Sequence, residues 1–109
     1  MSETPLVDTA VLDDLVDHIG DEAARAIVEL CFGEYRELVG SMAAAAATPG
    51  AARRAAHSLK SSAGQIGAAA LSEAALAVEA AEAADLPARI AELAECAAQT
   101  ETALAARLG

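Results

Sequence analysis

The sequence predicts an all-α protein: an antiparallel up-down-up-down four-helix bundle with an additional short N-terminal helix. Three observations carry that expectation. Apolar residues recur at helical spacing along most of the chain, and no alternating strand pattern competes. Alanine makes up roughly 30 % of the residues, far above ordinary usage, and it is the best helix former. Aromatic residues are nearly absent, with Phe32 and Tyr35 the only two, so the core must be made of small side chains between closely spaced helices. At 109 residues the chain is one domain, large enough for a modest core.

The elements follow in order. Residues 1–7 carry little pattern and are expected as a flexible lead, with the bundle domain over 8–109. Asp8 or Thr9 can cap a first short helix through His18 or Ile19, with Leu12, Leu15, Val16 and Ile19 apolar. Gly20 is placed to stop it. Asp21 opens a long second helix to about Ala47, whose stripe reads Ile27, Cys31, Leu38 and Met42, with Val28, Phe32 and Tyr35 alongside. Thr48-Pro49 is a cap followed by proline at the first helical position. It starts a third helix ending near Gly67. A fourth begins between Gly67 and Ser72 and runs to about Ala84, with Leu71, Ala75 and Val78 inward. Asp85-Leu86-Pro87 starts the fifth, where Ile90, Leu93, Ala97, Leu104 and Leu108 repeat at helical spacing. Short connections favour antiparallel neighbours, and the first helix is expected to cover one end.

Charge and composition narrow the function. The formal net charge is −10, which disfavours nucleic acid and anionic lipid as partners; the scarcity of aromatic stacking surface agrees. No apolar run is long enough to span a bilayer and no signal-peptide core is present, so a soluble cytoplasmic protein is expected. Cys31 and Cys96 are far apart and lack metal-ligand spacing; each falls on an expected core face and reads as a buried thiol. There is no Gly-rich nucleotide loop, so the chain is not expected to phosphorylate itself from a nucleotide.

His57 is the residue that stands out. At ~100° per residue, Ala52, Ala55, Leu59, Ala63 and Ile66 share one face of the third helix, whereas Arg53, His57, Lys60, Ser61 and Gly64 share the opposite one. A histidine on a polar helix face is ordinarily just solvated. Here two features argue for more. The chain has seven Lys and Arg against 17 Asp and Glu, yet no acid occurs from Leu38 through Ser72, where Arg53, Arg54 and Lys60 all fall. Gly64 costs roughly 1 kcal/mol of helix propensity relative to alanine, in a chain that uses alanine freely. An imidazole on an open, locally basic surface suits an incoming phosphoryl group.

The run from Ala56 through His57-Ser58-Leu59-Lys60-Ser61-Ser62-Ala63-Gly64-Gln65-Ile66 to Gly67 resembles the signature of histidine phosphotransfer (HPt) domains. That pattern continues through Leu71 to Glu79, and the resemblance in length and helix order covers nearly the whole chain. The family often has glycine where this chain has Ser61. The resemblance implies that His57 accepts a phosphoryl group through Nε2 from an aspartyl phosphate in a receiver domain. It implies that Lys60, one helical turn on, reaches the phosphoryl oxygens, and that Glu79 accepts a hydrogen bond from the imidazole Nδ1 and fixes its tautomer. Ala68, Ser72 and Ala75 precede Glu79 on one helical face and form a small-residue strip that would let the two helices approach.

Arg53, Ser61, Gly64, Gln65, Leu12 and Leu15 are expected around the docking surface; Gln65 lies to one side and faces either the partner or water. No cofactor or metal is expected in this chain, and Mg²⁺ is expected in the partner receiver. His18 reads as a helix-end surface residue. No second histidine accompanies His57 at zinc-ligand spacing, and a Ser-His hydrolase would need a cleft that a small bundle does not readily offer. The expected function is a free-standing, monomeric phosphocarrier that is not itself an enzyme, passing phosphate between response-regulator receivers downstream of a hybrid or upstream histidine kinase. The alternative is a non-phosphorylated helical adaptor or inhibitor.

Overall fold

The computed structural model describes residues 4–44 and 48–108. Five α-helices follow in order: α1 (Thr9–Ile19), α2 (Asp21–Ala44), α3 (Pro49–Gln65), α4 (Ala69–Ala80) and α5 (Leu86–Leu108), with a 3₁₀ turn at Ala83–Asp85. Among the described residues there is no strand. The expected lead falls partly outside them; from Thr4 on, the Pro5 carbonyl accepts from Ala70 N (3.0 Å) and Asp8 N donates to the Gly67 carbonyl (2.7 Å).

The helix boundaries have local causes. Asp8 caps α1, its carboxylate accepting from the amides of Ala10 and Val11, which relieves donors that have no partner inside the helix. Gly20 ends α1 at φ 87°, a conformation open to glycine at little cost. At Thr48 the side chain makes no capping bond; its carbonyl accepts from Ala51 and Ala52, and Pro49 opens α3. Helix α4 stops at Ala80 rather than near Ala84. Ala81 turns extended and the 3₁₀ turn delivers Leu86, fully buried, to the start of α5.

Four helices close a ring: α2 packs on α3, α3 on α4, α4 on α5, and α5 back on α2. Their polarity alternates where the contacts fix it. Arg53, near the start of α3, meets the carbonyl of Ala81 just past the end of α4. Arg25, near the start of α2, meets the carbonyl of Leu108 at the end of α5. Helix α1 lies across one end of the ring, with Asp8 bonded to Gly67 and Asp13 3.6 Å from Arg107.

The core runs through Leu12, Val28, Phe32, Tyr35, Met42, Leu59, Leu71, Val78, Leu86, Ile90, Leu93 and Leu104, interleaved with the buried alanines Ala52, Ala56, Ala63, Ala68 and Ala75. Phe32 and Tyr35 meet edge-on at 5.0 Å, and Tyr35 Oη reaches Ser62 Oγ at 2.7 Å, so the one buried phenol keeps a partner. Several facings differ from expectation. In α2 the buried line is Ala24, Val28, Phe32, Tyr35 and Met42; Ile27 is 39 % exposed, and Cys31 and Leu38 sit at the rim. In α3 it is Ala56, not Ala55, that is fully buried. Cys31 and Cys96 are half-buried rather than buried. No described helix is long and apolar enough to cross a membrane.

Candidate functional site

The side of α3 that carries His57 faces partly to solvent and partly to α4, and the two helices make the most extensive contact in the molecule. The cause is steric. Ala52, Ala56 and Ala63 on α3 and Ala75 on α4 are fully buried, so the backbones approach with little between them. Gly64 extends this spacing: a methyl group there would stand 3.8 Å from Ser72 Oγ. The Ser72 hydroxyl in turn donates to the Lys60 carbonyl at 3.0 Å. Two helices held this close bring a side chain in the last turn of α4 within reach of α3.

That side chain is Glu79. One carboxylate oxygen lies 2.8 Å from His57 Nδ1 and the other accepts from Lys60 Nζ at 2.9 Å. A carboxylate only accepts, so Nδ1 must carry the proton, and a neutral ring then leaves a bare lone pair on Nε2. The His57 side chain is 62 % exposed, against 28 % for Glu79 and 29 % for Lys60. The imidazole thus stands outward over a half-covered ion pair. Lys60 first, and His57 second, hold the Glu79 carboxyl below its ordinary range by hydrogen bonding to the charged form. The two hydrogen bonds thus favour the ionised carboxylate.

The structure sorts the remaining candidates. Ser61, Gly64 and Gln65 are exposed around His57. Leu15 is half-buried, packed against the core from α1. Leu12 is not available for docking: it is fully buried, because the Asp8–Gly67 bond draws the first turn of α1 onto the end of the bundle and its backbone beside Gly67. Arg53 is half-buried, its guanidinium turned toward α4 and donating to the Ala81 carbonyl at 2.7 Å. Arg54 is exposed. His18 is exposed at the end of α1, with Nδ1 2.7 Å from the Asp14 carbonyl; that bond and the Asp14 charge raise its pKa above the usual histidine value.

Gly67 has a role beyond matching the motif. Its φ is 81°, and a methyl group there would fall 2.9 Å from the Asp8 carbonyl oxygen and 3.3 Å from Leu12 N. Both the backbone conformation and the close crossing of α1 require glycine. Sequence reasoning did not foresee three contacts: Arg53 with Ala81, Ser72 with Lys60, and Lys60 with the same carboxylate that holds His57. Only the small-residue strip through Ser72 signalled the close approach that makes them possible. A groove of about 490 Å³ between α2 and α5, lined by Arg25, Val28, Phe32, Glu101 and Leu108 among others, includes no residue of α3 or α4. The histidine thus belongs to an open surface and not to that groove.

Comparison with curated proteins and with solved structures found no match. The family model for the Hpt domain matches residues 26–106, well over half of the chain, from early α2 to the last turns of α5 and including His57, Lys60, Gly67 and Glu79. On that match the chain belongs to the Hpt domain family, the phosphotransfer modules of phosphorelay signalling.

Proposed function

We propose that this protein accepts a phosphoryl group on His57 Nε2 from the aspartyl phosphate of a receiver domain and passes it to the aspartate of another. The observation that carries this reading is the pairing of an exposed imidazole with a carboxylate on Nδ1 at 2.8 Å. The Nε2 lone pair attacks phosphorus, the N–P bond forms as the P–O bond to the receiver aspartate breaks, and the electron pair leaves with that carboxylate. No proton has to leave Nε2, because the neutral tautomer carries its proton on Nδ1. Positive charge that develops on the ring is met by Glu79 through that proton. Delivery to the second receiver is the same step reversed.

Lys60 lies one turn from His57 and adds a cation beside the phosphoryl oxygens while remaining anchored to Glu79. The receiver supplies Mg²⁺ and most of the stabilisation of the transferring group. The chain acts as a nucleophile on a docking surface, as a monomer in the cytoplasm, with receivers and a hybrid or upstream histidine kinase as its partners.

The test is incubation with a phosphorylated receiver and Mg²⁺. Label is expected on the native chain, acid-labile and base-stable as befits a phosphoramidate, and none on His57→Gln. That variant should keep its helical content, since the side chain it removes is mostly solvent-facing. Acid-stable label, or label on His57→Gln, removes His57 from the role. Binding without transfer supports a non-phosphorylated adaptor.

A further inference from the structure

Glu79 occupies the last turn of α4, which ends at Ala80. The final carbonyls of a helix have no partner within it, and terminal turns open at low free energy. A carboxylate that must hold an imidazole in one tautomer is therefore mounted on the part of the helix most prone to fray. Two contacts tie the two ends of α4 to α3. At the far end of α4, the Arg53 guanidinium donates to the carbonyl of Ala81, two residues beyond Glu79. Toward the start of α4, Ser72 Oγ donates to the backbone carbonyl of Lys60, the residue whose side chain meets Glu79.

Resting on the phosphotransfer reading above, we infer that Arg53 and Ser72 are positioning residues: together they clamp α4 to α3 and hold the Glu79 carboxylate in register with His57 and Lys60. A cation at a helix C-terminus is favoured both by the free carbonyls and by the helix dipole. Arg53 is suited to this place because its guanidinium reaches across the helix pair from one turn before His57. Its guanidinium is held by the Ala81 carbonyl, so its effect on transfer runs through α4. Loss of the Arg53 contact would let the last turn open, and loss of the Ser72 contact would let α4 lean away from α3; either would release Nδ1 of the imidazole to water and allow the proton to move to Nε2. A ring protonated on Nε2 has no lone pair there to attack phosphorus. The clamp thus sets the fraction of molecules ready to react.

The test uses the full chain, with nitrogen NMR of the His57 ring at about pH 8, where imidazole is neutral. The native protein should show the Nδ1–H tautomer dominant. Arg53→Met keeps an unbranched apolar stem without a donor and should shift the ring toward a tautomer mixture. Single-turnover transfer from a saturating phosphorylated receiver should slow by about fivefold to tenfold, the net scale of one lost hydrogen bond at a partly exposed site, with receiver affinity unchanged. Arg53→Lys restores a donor and should recover part of both readouts; Ser72→Ala should move both in the same direction by less.

A native-like tautomer in both Arg53→Met and Ser72→Ala overturns the inference, as does weaker receiver binding with no change in the ring, which would make Arg53 a docking residue. Should Arg53→Met lose its cooperative fold, Arg53→Lys and Ser72→Ala decide by the same readouts. If the native chain takes no phosphate from any receiver, the phosphotransfer reading fails, while the tautomer measurement still decides the clamp.

Discussion

At the scale of single residues, Glu79 joins two functions that the sequence suggested separately. The resemblance pointed to Glu79 as the partner of the imidazole and to Lys60 as a partner of the phosphoryl group. The structure adds that the same carboxylate holds both. Its lowered pKa has a definite consequence for pH. A carboxyl whose folded pKa lies below its unfolded value stabilises the native state above the unfolded pKa, and this is lost as pH falls through the folded one. The window for Glu79 therefore lies below its ordinary 4.5. Carbon NMR of the Glu79 carboxyl should give a midpoint below 4.5 in the native chain. Lys60→Met should raise that midpoint more than His57→Gln does, since Lys60 is the larger cause. An equal rise in both variants, or none, would show that Lys60 does not govern the carboxylate.

At the scale of the helix, two glycines with similar sequence surroundings have opposite expected effects. Gly67→Ala forces a side chain into positive φ and into the Asp8 and Leu12 backbone, and should destabilise by about 2–3 kcal/mol. Gly40→Ala lies in exposed α2 with nothing within 4 Å of the new methyl group, and should stabilise by about 0.5–1 kcal/mol. Urea titration of both variants checks the signs; a stable Gly67→Ala would mean that α1 does not cross there. The existence of all five helices was legible because caps and breakers punctuate the chain: Asp8, Gly20, Thr48-Pro49, Gly67 and Leu86-Pro87. Facing was less legible, and α2 shows why. Its buried line begins at Ala24 and passes through Val28, while Ile27, the more apolar residue by type, stands at the surface. Where helices pack through alanine, a core alanine and a surface alanine look alike, so hydrophobic periodicity loses its phase. The stop at Ala80 was hidden for the same reason: alanine recurs through Ala84, interrupted only by Glu82, and the turn depends on Arg53 and Leu86, which are distant from it or follow it.

At the scale of the whole molecule, the acid-free interval promised a basic docking face on a chain of net charge −10. Folding uses much of that charge internally. Lys60 is paired with Glu79 at 2.9 Å and Arg53 is spent on the Ala81 carbonyl at 2.7 Å, leaving Arg54 as the exposed cation of the three. Sequence alone could locate the cations on α3 but not say which of them would turn toward α4, since that depends on where α4 ends. Steering of an acidic receiver should accordingly be weak. Exposed charges interact over a Debye length of about 10 Å at 0.1 M salt, and one cation set against an acidic body gives little long-range attraction. The association rate with a receiver should therefore fall only about twofold to threefold between low salt and 0.15 M, well short of the range open to strongly steered pairs. Arg54→Gln should remove most of that dependence while leaving dissociation nearly unchanged, because an exposed rim charge acts mainly on encounter. Stopped-flow association over a salt series checks both points. A steep salt dependence that survives Arg54→Gln would mean that Arg53 or Lys60 breaks its internal bond to meet the partner, and the site would then reorganise on docking.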